Sequence, residues 1–133
     1  MRKLSIPLAL LALLAGCATT STGTAPTPKL VLADSEWRVT TIDGTPPVGE
    51  ASLAFRPDRL VASAGCNRLG GTWSENAGKL VVGPLMSTRM FCEGKMEQER
   101  ALSDLLGGEP AVTLSGDRLS LRTTAHAVEL VRK

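Results

Sequence analysis

Cys66 and Cys92 are the residues of this chain with the clearest chemistry. They bound the stretch 65–92, GCNRLGGTWSENAGKLVVGPLMSTRMFC, which also holds the densest run of glycines and the only Met-rich segment. In an exported chain two such cysteines are more readily a disulfide than two thiols, because the compartment oxidises them. Closing a loop of about 26 residues contributes roughly 3.5 kcal/mol in the chain-entropy account. Free thiols, a redox pair and metal ligands are the alternatives. No CxxC is present and His126 is the single histidine, so a Cys/His zinc set cannot be completed. No metal and no cofactor are expected.

Asn67, Arg68 and Arg89 flank the two cysteines. A disulfide would gather them into one polar patch, which makes them a candidate binding patch. The favoured reading has Asn67 bonding nearby backbone, as Asn does in turns, with the arginines merely solvated. Catalytic groupings are poorer. His126 has Glu129 close in sequence, and Ser87 or Thr88 offers a hydroxyl, yet no G-x-S-x-G run fixes a nucleophile. His126, between small residues and Thr124, reads as an exposed turn residue. Glu97 and Glu99 are two apart on an expected helix, so they do not share a face as an acid/base pair would. Gly70-Gly71 lacks the strand–GxGxxG–helix setting of a dinucleotide loop and suits a kinked strand. No catalytic residue is expected.

The ends of the chain say where it works. Residues 1–16 have the plan of a signal peptide: Arg2 and Lys3, then an apolar core, then Ala15 and Gly16 before Cys17. The apolar run is far short of the ~20 residues a spanning helix needs. Its ending, Leu14-Ala15-Gly16-Cys17, resembles the lipobox of bacterial lipoproteins, which implies cleavage and acylation of Cys17. At about 0.8 kcal/mol per buried methylene, two or three acyl chains hold a domain at a membrane persistently. Ala18, rather than an aspartate, follows the cysteine, a pattern that resembles lipoproteins sorted to the outer membrane, facing the periplasm. Residues 17–29, rich in Thr, Pro and Ala, cannot bury enough apolar surface to fold and read as a tether. The precursor's net charge of +2 also comes from this end: without Arg2 and Lys3, Lys+Arg equals Asp+Glu at 13. A near-neutral chain without tyrosine lacks the basic, aromatic-laced face of a nucleic-acid binder. The expected partners are the membrane, through the lipid, and an envelope protein of unspecified identity, with the chain itself a monomer.

The remaining body, 30–133, suits one domain. Alternating apolar residues and turn signals predict strands at 35–42, 52–55, 60–64, 70–74, 79–82, 85–89, 111–115, 118–122 and 127–131. In the first, Trp37, Val39 and Thr41 fall on one face, with Arg38, Thr40 and Ile42 on the other. The period changes at 96–106, where Leu102, Leu105 and Leu106 form one stripe, with Glu97 and Glu99 at the start and Gly107-Gly108 at the end. The expected fold is α+β: a curved, mainly antiparallel β-sheet of about eight short strands, open or barrel-like, with one helix packed on it.

GCNRLGGTW, KLVVGPLMSTRMFC and EGKMEQERALSDLL together resemble the META domain family, also called HslJ-like. The marks are Gly65-Cys66-Asn67, Gly71, the Ser-Thr-Arg-Met run at 87–90 with Cys92, and the Met-Glu-Gln-Glu helix start, and the likeness runs from about Leu30 to Lys133, including Trp37 and the closing LVRK. Trp73 stands where the aromatic is often Tyr, and Phe91 where a small Ala is common, which implies a different local surface near Cys92. The resemblance implies a compact β-sheet domain with a helix, and links to bacterial heat-shock responses, novobiocin resistance and, in trypanosomatids, motility and virulence. It brings no reaction. The expected function is that of a non-enzymatic, lipid-anchored envelope protein that binds or scaffolds in support of envelope integrity or stress and antibiotic tolerance. The alternative is a periplasmic inhibitor of a hydrolase such as lysozyme or a protease.

Overall fold

The structure of the protein, a computed structural model, describes residues 31–133. The segments expected to be a signal peptide (1–16) and a tether (17–29), and the expected acylation site Cys17, lie outside the described residues. The elements run β1 (Ser35–Ile42), β2 (Ser52–Phe55), β3 (Arg59–Ser63), β4 (Arg68–Asn76), β5 (Lys79–Val82), β6 (Met86–Ser87), α1 (Met96–Gly107), β7 (Ala111–Ser115), β8 (Arg118–Arg122) and β9 (Ala127–Arg132).

These strands form one sheet of 9 strands in the order β3-β2-β1-β9-β8-β7-β5-β4-β6. β3 also pairs with β4, from Arg59↔Thr72 to Ser63↔Arg68, and this closes every strand but β6 into an antiparallel barrel. Closure removes the edges an open sheet would present. β6 is an outlier, held to β4 only through Leu69↔Ser87 and Gly70↔Met86. The seam between β5 and β7 is also thin, with Lys79↔Ala111 as its one ladder pair. The Leu80 N–H donates to the Pro110 carbonyl at 2.9 Å and the Val112 N–H to the Gly78 carbonyl at 2.8 Å beside it.

Alternation fills the inside of the barrel. Trp37, Leu53, Phe55, Leu60, Leu80, Leu119, Leu121 and Leu130 are buried, and Leu102, Leu105 and Leu106 of α1 join the same cluster. Burying each such side chain contributes about 1.5–3 kcal/mol relative to leaving it in water. α1 packs against β5 and β1. The Trp37 indole N–H donates to Ser35 Oγ at 2.7 Å, and Ser35 Oγ in turn donates to the Leu32 carbonyl. The Arg132 guanidinium lies 4.4 Å from the Trp37 ring centroid.

β1 departs from the expected alternation. Ile42, expected on the opposite face from Trp37 and Val39, is buried with them, whereas Thr41 is only half-buried. The register against β9 slips between Val39↔Leu130 and Thr41↔Glu129, which leaves Thr40 as the extra residue of a β-bulge. A bulge shifts every later side chain to the other face. β6 is also shorter than the strand expected at 85–89. The β4–β5 hairpin turns on Ala77-Gly78, both at positive φ, 51° and 78°. Two such residues are what a type I′ turn needs.

Candidate binding surface around the disulfide

Cys66 and Cys92 are joined in a disulfide with their Cα atoms 6.0 Å apart. It fastens the β3–β4 turn to the segment between β6 and α1. Gly65, just before Cys66, has φ +92°, and a Cβ there would stand 3.0 Å from the Val48 carbonyl oxygen. Both the backbone conformation and the space call for glycine.

Asn67 is the hub of this region, and it faces inward. It is 2% exposed. Its Nδ2 donates to Glu99 Oε1 at 2.7 Å and to the Met90 carbonyl at 2.9 Å. Its Oδ1 accepts from the Met90 N–H at 2.7 Å and from Thr88 Oγ1 at 3.0 Å. The Asn67 backbone N–H donates to Glu99 Oε2 at 2.9 Å. The candidate binding role of the Asn67 side chain is therefore set aside: each of its side-chain polar atoms is spent on the protein's own loop and helix. The partners are not the turn's own backbone either, but Met90, Thr88 and Glu99, which are distant in sequence.

The helix start acts as the other half of the clamp. Glu99 is 8% exposed, and its carboxylate takes both donors of Asn67. Gln98 Oε1 accepts from the Val48 N–H at 2.9 Å, while its Nε2 donates to the Val48 carbonyl at 3.0 Å and to the Ala64 carbonyl. Lys95 Nζ donates to the Gly65 carbonyl at 3.2 Å. Glu97 points to solvent. The side chains that make the motif recognisable thus hold the β1–β2 loop, the β3–β4 turn and the 86–92 segment to the first turn of α1. Two acids in that turn also suit the helix dipole.

Arg68 and Arg89, the other residues of that candidate patch, are exposed. Arg68 lines a hollow of about 280 Å³ with Arg59 and Met86 on the outer face of β3, β4 and β6. Arg89 lines an adjoining one with Met90 and Phe91. The sequence reading missed Arg59 and the outward-facing Met86, Met90 and Phe91. The Met-rich composition of the segment was the available signal.

His126 occupies a second cluster and is half-buried, not the exposed turn residue expected. Its Nδ1 lies 2.8 Å from Asp43 Oδ2 and its Nε2 4.0 Å from Asp104 Oδ2. Asp43 Oδ1 accepts the Ala127 N–H at 2.8 Å. That backbone bond first, and the His126 contact second, hold the Asp43 carboxyl below the ordinary aspartate value of 3.8. The cluster ties the turn after β1 to the start of β9 and to α1. Glu129, by contrast, pairs with Arg122 at 2.6 Å. The Thr88 hydroxyl belongs to the Asn67 network and Ser87 Oγ donates to the Thr88 carbonyl. Among the described residues, no group of His, Cys, Asp and Glu is placed to hold a metal ion, and no helix is long and apolar enough to cross a membrane.

The family model for the META domain matches residues 30–133, the whole of this barrel with its helix and disulfide. The chain belongs to the META domain family. Two solved structures share the META fold seen here. An NMR structure of a protein from Burkholderia xenovorans is 22% identical, with TM-score 0.63, covering 77% of this chain and 83% of that one. A second NMR structure is 23% identical, with TM-score 0.68, covering 75% of this chain and 90% of that one. At such identities the likeness is one of fold. No curated protein matches this META chain.

Proposed function

We propose that this protein is a non-enzymatic, lipid-anchored envelope protein whose META domain binds or scaffolds at the membrane, in support of envelope integrity or of stress and antibiotic tolerance. One observation carries the reading. Of the polar side chains of the family motif, Asn67 and Glu99 are buried, and Asn67 fixes Thr88 and Met90 of a surface segment, 86–91, whose apolar residues face water. A framework that spends its polar groups on presenting a surface suits binding better than bond making. The lipobox-like 14–17 sequence and the tether supply the anchor in this account. The test is intact mass of the native protein purified from membranes, before and after reduction and alkylation. An acylated chain beginning at Cys17, with two thiols alkylated only after reduction, is the expected result. An unacylated mass sinks the anchor.

A periplasmic hydrolase inhibitor is the second reading, favoured by the protrusion of Phe91 beside Arg89. A segment of that kind fits the cleft of a lysozyme or protease. Recovery of one stoichiometric hydrolase in a pull-down, lost in Arg89→Ala, would establish it over scaffolding.

A further inference from the structure

Phe91 is 82% exposed, Met86 72% and Met90 62%, and all lie within six consecutive residues, 86–91. Leaving such side chains in water forfeits about 1.5–3 kcal/mol each, so a cluster of them points to something that covers it. The segment is not a loose tail. The Asn67 side chain holds Met90 on both its N–H and its carbonyl, and the disulfide fixes Cys92 immediately after Phe91.

Beside this apolar edge stand cations with free donors. On the outer face of the barrel Gly70 lies in register with Val61, and its missing side chain opens the hollow bordered by Arg59, Arg68 and Met86. Arg59 Nη2 is 3.9 Å from where a Cβ on Gly70 would stand. This hollow and the one lined by Arg89, Met90 and Phe91 adjoin at Ser87 and Thr88. Among the described residues no carboxylate lies within 4.0 Å of Arg59, Arg68 or Arg89, as is also true of Arg38, Arg100 and Arg118, whereas Arg56, Arg122 and Arg132 each have one. Apolar tips flanked by uncompensated guanidinium groups match one environment closely. At a bilayer interface the tips enter the acyl boundary, about 5–10 Å deep, while the cations meet lipid phosphates.

We propose that this surface docks the domain on an anionic lipid bilayer. Met86, Met90 and Phe91 enter the interface, and Arg59, Arg68 and Arg89 take the phosphates. The proposal rests on the envelope reading for where that bilayer is, and on the surface itself for the contact. A tether reaching on the order of 30 Å would keep the bilayer within range of any face of the domain.

The test uses the mature chain from residue 17 carrying Cys17→Ser, so that no acyl chain contributes. It is sedimented with vesicles of mixed phosphatidylglycerol and phosphatidylcholine, and with phosphatidylcholine alone. Binding to the anionic vesicles, weakened by salt, is expected. Phe91→Ser lowers the partition coefficient about tenfold or more, and Arg68→Gln about fivefold on anionic vesicles only. Both substitutions alter exposed side chains, and unchanged tryptophan fluorescence verifies the fold. Failure to bind anionic vesicles, or a partition indifferent to Phe91→Ser, overturns the proposal. So does self-association abolished by Phe91→Ser, which would give the surface to a second copy. Intact mass reports the anchor separately, so the two ideas fail independently.

Discussion

Asn67→Ala removes the side chain on which the disulfide region depends, and its cost can be worked from the contacts. Glu99, 8% exposed, loses the donor to Oε1 at 2.7 Å and keeps only the Asn67 backbone N–H on Oε2. A buried charged acceptor left without its partner costs about 1.5–3 kcal/mol. The Met90 N–H and carbonyl and the Thr88 hydroxyl also lose partners, but these residues border solvent and water replaces the amide, at about 1 kcal/mol together. The void left by the amide adds about 1 kcal/mol. The total is about 3.5–5 kcal/mol, a large share of the 5–15 kcal/mol typical of a domain, and lowers Tm on the order of 20 °C. Urea unfolding followed by the fluorescence of buried Trp37 measures it directly. Glu99→Ala on the Asn67→Ala background should then cost far less than Glu99→Ala alone, since the pair is one unit. A loss below about 1 kcal/mol for Asn67→Ala, or additive single and double variants, would refute the clamp.

Cys66→Ser/Cys92→Ser lowers stability by about 3.5 kcal/mol, and dithiothreitol shifts the urea midpoint of the parent but not of the double variant. Ala77→Asn raises stability by about 0.5–1 kcal/mol, because Asn accepts the positive φ that Ala77 adopts before Gly78; a drop in urea midpoint would count against a type I′ turn. Because the Asp43 carboxyl is held low, its contribution is present above the unfolded aspartate range and disappears as pH falls through its folded value. Asp43→Asn should therefore flatten the acid limb of stability below about pH 5, and parallel urea profiles for the two proteins would exclude the contribution.

Local signals carried most of the elements. β1, β2, β5, β7 and β8 have the bounds that alternation and turn residues predict, because their ends are set by Asp43-Gly44, Arg56-Pro57, Ala77-Gly78 and Gly116-Asp117. The Leu102, Leu105 and Leu106 stripe is buried as its spacing requires. The failures are nonlocal. The bulge at Thr40 answers to β9, some 90 residues on, where Thr40 Oγ1 donates to the Glu129 carbonyl. Nothing in the neighbours of Asn67 announces Glu99, Thr88 and Met90 as partners, so a buried hub looked like a surface ligand. His126 reads as exposed beside small residues until Asp43 and Asp104 arrive from other elements. Closure of the barrel rests on the long-range pairings of β1 with β9 and of β5 with β7, which the alternation pattern does not record.

The place of β9 in the ring governs how the domain comes into being. Among the described residues β1 is the first strand made, and one of its two edges is completed only by β9, the last. At about 5–20 residues per second, a growing chain carries β1 with a bare edge until the final strand emerges. Over that interval the barrel cannot close, whatever the other strands have already formed. The same arrangement makes loss of the tail worse than a trimming. Without Ala127–Arg132, β1 and β8 both lose their neighbour, and a closed barrel becomes a sheet with two sticky rims.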